Sequence, residues 1–184
     1  MRRRPEFLLC RNEKIGDRIL EQMKIITVSG AHSNAGKTRV IERLLEIFKG
    51  WSCLKVTTLH KGLCPTGRDC GACGKLSSRF SIVSDKGIIE EPGKDTRRFK
   101  EAGAKDVLWL RAKPRGLRQG LKKAISMFSA EGEKGARGLI IEGTSVLKYL
   151  HPDLAIFVKR DNSLLKDSAK EVLKKVDLIL TVYG

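Results

Sequence analysis

Apolar residues recur along this chain with two periods, and the periods alternate. Lys24-Ile25-Ile26-Thr27-Val28-Ser29 is a continuous β-branched run, the pattern of a strand buried on both faces. From Thr38 the period changes, and Val40, Ile41, Leu44, Leu45, Ile47 and Phe48 fall on one helical face that Gly50 ends. A second strand follows at 53–57, and others are predicted at 106–110, 138–141, 154–158 and 178–182. Leu117, Leu121, Ala124, Ile125 and Phe128 form another helical face, as do Leu165, Ala169, Val172 and Val176. Asp95 is placed to cap a short helix ending at Gly103. This alternation predicts an α/β fold: three layers, with a mostly parallel sheet between crossover helices.

Two segments stand outside the rhythm. Residues 1–22 are charged and weakly periodic, and read either as a basic N-terminal extension or as the product of an upstream start codon, since Met23 directly precedes the first strand. His60 to about Pro92 is rich in Gly, Cys, Ser and Lys, and reads as a long loop excursion within one domain, 23–184. Met1-Arg2-Arg3-Arg4 starts like a signal peptide, but the apolar run behind it is only Phe7-Leu8-Leu9-Cys10, short of the ~7–15 residues a secretory segment needs. Apolar runs elsewhere are also far short of a bilayer span. The expectation is a cytoplasmic protein with no membrane partner.

Composition changes this picture little. The 184 residues are 41% hydrophobic and 32% charged, as in globular proteins, so neither a disordered nor a fibrous chain is expected. Thirty-seven basic residues against 21 acidic ones give a net charge of +16, which suits anionic ligands. The lysines and arginines are scattered, and aromatic residues are only 5%, too few for a base-stacking platform. Dedicated nucleic-acid binding is therefore not expected.

The strongest chemical signal joins the first strand to the first helix. Ala31-His32-Ser33-Asn34-Ala35-Gly36-Lys37-Thr38-Arg39 fits the Walker A pattern, with Ala31 where the first glycine is usual. Small residues let backbone N–H groups turn inward around a phosphate, and the helix N-terminus adds its positive end. Lys37 is placed to bridge the β- and γ-phosphates, and the Thr38 hydroxyl to ligate Mg²⁺. Glu142 ends the apolar strand Leu139-Ile140-Ile141 at the edge where ligands gather in open sheets, and is the candidate to hold Mg²⁺ or position a water. Asp95 is its rival or companion for the metal. Val158-Lys159-Arg160-Asp161 approximates a guanine-reading signature, with Lys159 and Asp161 as its elements: a carboxylate accepts both the N1–H and the amino group of guanine. The nucleotide is thus GTP or ATP.

Four of the five cysteines lie between residues 53 and 73. Cys53 sits in a strand and reads as a buried structural thiol. Cys64, Cys70 and Cys73 form a C-x5-C-x2-C run in a glycine-bearing loop, and in a reducing compartment that clustering favours a metal over disulfides. Three thiolates suit a 4Fe–4S cluster with one external ligand, or three quarters of a Zn²⁺ site with His60 as the fourth ligand.

The order of these pieces resembles the molybdopterin-guanine dinucleotide biosynthesis protein B (MobB) family. The likeness rests on Ser33-Asn34-Ala35-Gly36-Lys37-Thr38 opening a helix with Ile41-Glu42 and Leu44, on Asp95-Thr96-Arg97-Arg98-Phe99-Lys100-Glu101-Ala102-Gly103-Ala104, and on Ile141-Glu142-Gly143, across roughly residues 23–160. The resemblance implies a P-loop protein that binds GTP and assists attachment of GMP to molybdopterin, with at most slow hydrolysis. Its partner would be a guanylyltransferase and its assembly a homodimer. It also implies that Asp95 and Arg98 face the phosphate edge. The segment after the second strand departs from that family, which is histidine-rich there. A metallocentre-assembly GTPase with a metalloenzyme-maturation partner is the alternative this opens, and a small-molecule kinase with a zinc-ribbon lid is a third.

Overall fold

The computed structural model describes residues 23–31, 35–59, 76–129, 136–161 and 171–183. Seven strands form one sheet: β1 (Lys24–Gly30), β2 (Ser52–Thr58), β3 (Phe80–Val83), β4 (Val107–Ala112), β5 (Gly138–Glu142), β6 (Leu154–Arg160) and β7 (Leu178–Val182). Their spatial order is β3-β4-β2-β5-β1-β6-β7, and every neighbouring pair is parallel except β3 with β4. Parallel neighbours need crossovers, and the helical segments supply them. The helices are α1 (Lys37–Ile47), α2 (Lys86–Ile89), α3 (Asp95–Glu101) and α4 (Leu117–Ser129), with 3₁₀ turns at Pro114–Gly116 and Thr144–Lys148.

Helices cover both faces of the sheet. Ile41 and Leu45 of α1 and Phe99 of α3 pack with Val28, Cys53, Trp109, Ile140 and Ile156 on one face. Leu117, Leu121, Ala124, Ile125 and Phe128 of α4 pack with Leu54, Leu108, Leu110, Leu139 and Ile141 on the other. The expected helical face of α4 is the buried one, because residues three and four apart share one side of a helix. The α/β class and the mostly parallel sheet agree with the alternating periods.

The excursion at 60–92 is shorter than its composition suggests. Phe80–Val83 is an antiparallel edge strand, and Lys86–Ile89 is a helical turn capped by Asp85, whose carboxylate accepts from the Ile88 N–H. Four residues among Ser, Gly and Lys carry too little periodicity to announce a strand. Tertiary contact makes this one: β3 pairs with β4, and Phe80 lies against Gly120 of α4, where a Cβ would come within 3.0 Å of the Phe80 ring. Residues 60–75, with all the proposed cysteine ligands, lie outside the described residues, as do the 1–22 extension and Leu165 and Ala169 of the last predicted helix. Among the described residues, no helix is long and apolar enough to cross a membrane.

Candidate functional site

Since β1, β2, β4, β5, β6 and β7 all run parallel, their carboxyl ends share one edge of the sheet, and the polar residues gather there. β1 ends at Gly30. A side chain there would bring a Cβ within 3.0 Å of both the Lys37 stem and the Val158 carbonyl, so glycine is what lets Lys37 fold back against the strand end. Ala31 keeps its methyl buried with Phe157, against Leu173 and Val176, an apolar use for the position where the motif usually has glycine. Its N–H donates to the Val158 carbonyl (3.2 Å). Gly36 caps α1 in the left-handed region (φ 100°), a conformation that costs an L-residue about 1–2 kcal/mol. Lys37 and Thr38 therefore open α1 beside the strand end. His32, Ser33 and Asn34 lie outside the described residues; Ala35 is buried, and Arg39 is exposed on α1.

Three further elements aim charge at the same place. Asp95 begins α3 as its first residue, with Lys94 at the cap position, so the capping role expected of Asp95 gives way to a tertiary one. One of its carboxylate oxygens accepts from the Thr38 hydroxyl (3.1 Å), and the other pairs with the Lys55 ammonium. Lys55 arrives from β2, directly opposite Glu142 of β5 in the sheet register. Glu142 is only 8% exposed, and its Oε2 is buried with no hydrogen-bond partner among the described residues. The turn after it is tied down: Gly143 N–H donates to the Val28 carbonyl, while the Thr144 hydroxyl both accepts from Gly30 N–H and donates to Gly30 O.

The electrostatics follow from that packing. Burial pushes the Glu142 carboxyl above its ordinary range. Lys55 opposes this, the Asp95 charge adds to it, and Lys37 opposes it more weakly. For Asp95 the balance reverses. Burial alone would raise it, but the Lys55 charge and the hydrogen bonds from Lys55 and Thr38 hold the carboxyl below the usual range, helped by Arg98. Two carboxylates in one cluster with their affinities pushed apart are a recurrent mark of functional sites. Burial also pushes the Cys53 thiol far up, which leaves it an inert core residue.

The other predicted residues are placed as follows. Arg98 grips Glu42 of α1 with two hydrogen bonds (2.7 and 2.9 Å), locking α3 to α1 on the exposed side; only its charge reaches Asp95. Lys159 is partly exposed in β6 and Asp161 is exposed just past its end, where its N–H donates to the Val182 carbonyl. The residue before them, Val158, borders Gly36, as does Val182 of β7. His60, Cys64, Cys70 and Cys73 lie outside the described residues, and among the described ones no three His, Cys, Asp or Glu side chains converge. Sequence reasoning missed Lys55 and Thr144. Lys55 did carry a signal, as a single charge inside the run Cys53-Leu54-Lys55-Val56. The chain matches no protein-family model and none of the curated proteins.

Proposed function

We propose that this chain is a P-loop nucleotide-binding protein with the three-layer fold of that class, that it takes GTP with Mg²⁺, and that it serves molybdenum- or tungsten-cofactor maturation, as its resemblance to the MobB family implies. The observation that carries the reading is the join of Thr38, at the start of α1, to Asp95, beside the buried Glu142. In a phosphate-binding loop the hydroxyl next to the lysine faces the metal, and a carboxylate must lie within its reach. On this reading Ala35, Gly36 and Lys37 cradle phosphate, with His32, Ser33 and Asn34 completing the loop, and Lys159 and Asp161 face the base.

The residues present suit Mg²⁺. A hydroxyl and two carboxylates are the hard oxygen donors this ion takes while keeping several waters, and Glu142 Oε2 is a buried acceptor with no partner among the described residues. Thr38, Asp95 and Glu142 would hold it, directly or through water, and the ion would neutralise charge on the phosphates. Lys37 binds phosphate oxygens and orients them. Glu142, its carboxyl pushed up by burial, is a stronger base than an exposed glutamate and would be suited to orient a water and accept its proton.

The test is Lys37→Ala. Charge-assisted bonds from one ammonium are worth about 1.5–3 kcal/mol, so affinity for GTP should fall about 100-fold in calorimetry, with the circular dichroism unchanged. Equal affinity would remove the reading. The cysteine run favours a second reading, a GTPase that handles a metallocentre. There, Cys70→Ser should lose iron or zinc from purified protein while keeping nucleotide; full metal occupancy in the variant would dismiss the cysteine site.

A further inference from the structure

A lysine in the middle of a sheet needs a reason, because burying an ammonium stem between strands costs hydration unless a partner meets it. Lys55 stands in the inner strand β2, with Glu142 of β5 on one side in the register and Trp109 of β4 on the other. Its ammonium is paired with Asp95, on the oxygen not used by Thr38. Its charge is also the largest counterweight to the burial of Glu142, whose Oε2 has no hydrogen-bond partner among the described residues. One ammonium is therefore paired with one carboxylate and lies opposite the other in the register, and these are the same carboxylates that, with Thr38, suit a divalent cation.

The two cations cannot both be served. A divalent ion drawn to Asp95 would compete with the Lys55 ammonium already paired there, in a partly buried setting where like charges repel strongly. We propose that Lys55 is a resident competitor for the divalent-cation site: its ammonium, paired with Asp95 and set opposite Glu142 in the register, must give up Asp95 before a divalent cation can take both carboxylates. The inference rests on the nucleotide-binding reading for the identity of the cation as Mg²⁺, while the competition itself is a property of Lys55, Asp95 and Glu142. Lys55 is thus a positioning residue, acting on the carboxylates and not on the reacting atoms.

The experiment titrates Mn²⁺, followed by electron paramagnetic resonance with no nucleotide present, into the full-length wild-type chain, Lys55→Met, and the double variant Lys55→Met/Asp95→Asn. The expected result is about tenfold tighter Mn²⁺ binding in Lys55→Met, lost again in the double variant. Equal affinity in wild type and Lys55→Met, or no binding to either, overturns the proposal. Melting curves check that the variants fold, with Lys55→Gln as the alternative. A wild-type measurement needs no variant: Mn²⁺ should increase acylation of Lys55 by an amine-reactive ester, read by mass spectrometry, and an unchanged rate counts against the proposal. No nucleotide enters these measurements, so a failure here is separate from a failure of Lys37→Ala to weaken GTP.

Discussion

The two faces of the central sheet are built from the same strands and do different work. Toward α4, Leu54, Leu108, Leu110, Ala112, Leu139 and Ile141 run apolar to the carboxyl edge. Toward α1 and α3, the next residues along the same strands begin apolar, with Cys53 and Ile140, and then turn polar at Lys55, Thr57, Arg111 and Glu142. Strand geometry makes this possible, since successive side chains point to opposite faces and each strand can carry two unrelated patterns. The α4 face is a packing surface along its whole length. The α1 face is packing surface for part of its length and polar for the rest, and Trp109 marks the border, with its indole N–H donating to Thr57 and Arg111 lying over its ring.

That contrast can be broken from either side. Leu54→Ala removes a fully buried side chain from the α4 face and should cost about 3 kcal/mol, a fall in melting temperature of roughly 10 °C, while leaving GTP affinity unaltered in the folded protein. A loss of affinity as large as that of Lys37→Ala would show that the faces are not independent.

Glu142→Gln tests the opposite face and should work in the opposite direction. Burial holds this carboxyl above its unfolded value, so its contribution to stability is intact below the ordinary carboxylate range of about 4.3 and is lost as pH rises through the raised folded value. The amide escapes that loss. The variant should melt higher than wild type at pH 7, and its advantage should shrink as the pH approaches 4, with divalent-cation binding weakened throughout. A variant less stable than wild type at pH 7 would mean that the carboxylate is compensated there.

The smallest effect belongs to the exposed brace between α1 and α3. Arg98→Ala loses two hydrogen bonds to Glu42, but the arginine side chain is 43% exposed and water replaces them, so stability should fall by less than about 1 kcal/mol. A drop of several kcal/mol on thermal unfolding would make this pair part of the site rather than its frame.

Local pattern was enough to announce the α/β class, six of the seven strands, the helices α1, α3 and α4, and the connection of β1 to α1, because burial imposes a period of two or 3.6 on long elements and turn residues mark the ends of short ones. Lys37, Thr38, Asp95 and Glu142 were legible as candidates because their types and neighbours were unusual for their elements. Three things were decided only in the folded molecule. β3 exists because β4 and Gly120 accept it, and four residues cannot signal that in advance. Asp95 turns from a helix cap into a partner of Thr38 and Lys55, residues 57 and 40 positions away. Lys55 becomes a member of the site because the register sets it opposite Glu142. Periodicity records which side of an element is buried; which charges meet across elements depends on strand order and register, and those are settled by the packing of the whole sheet.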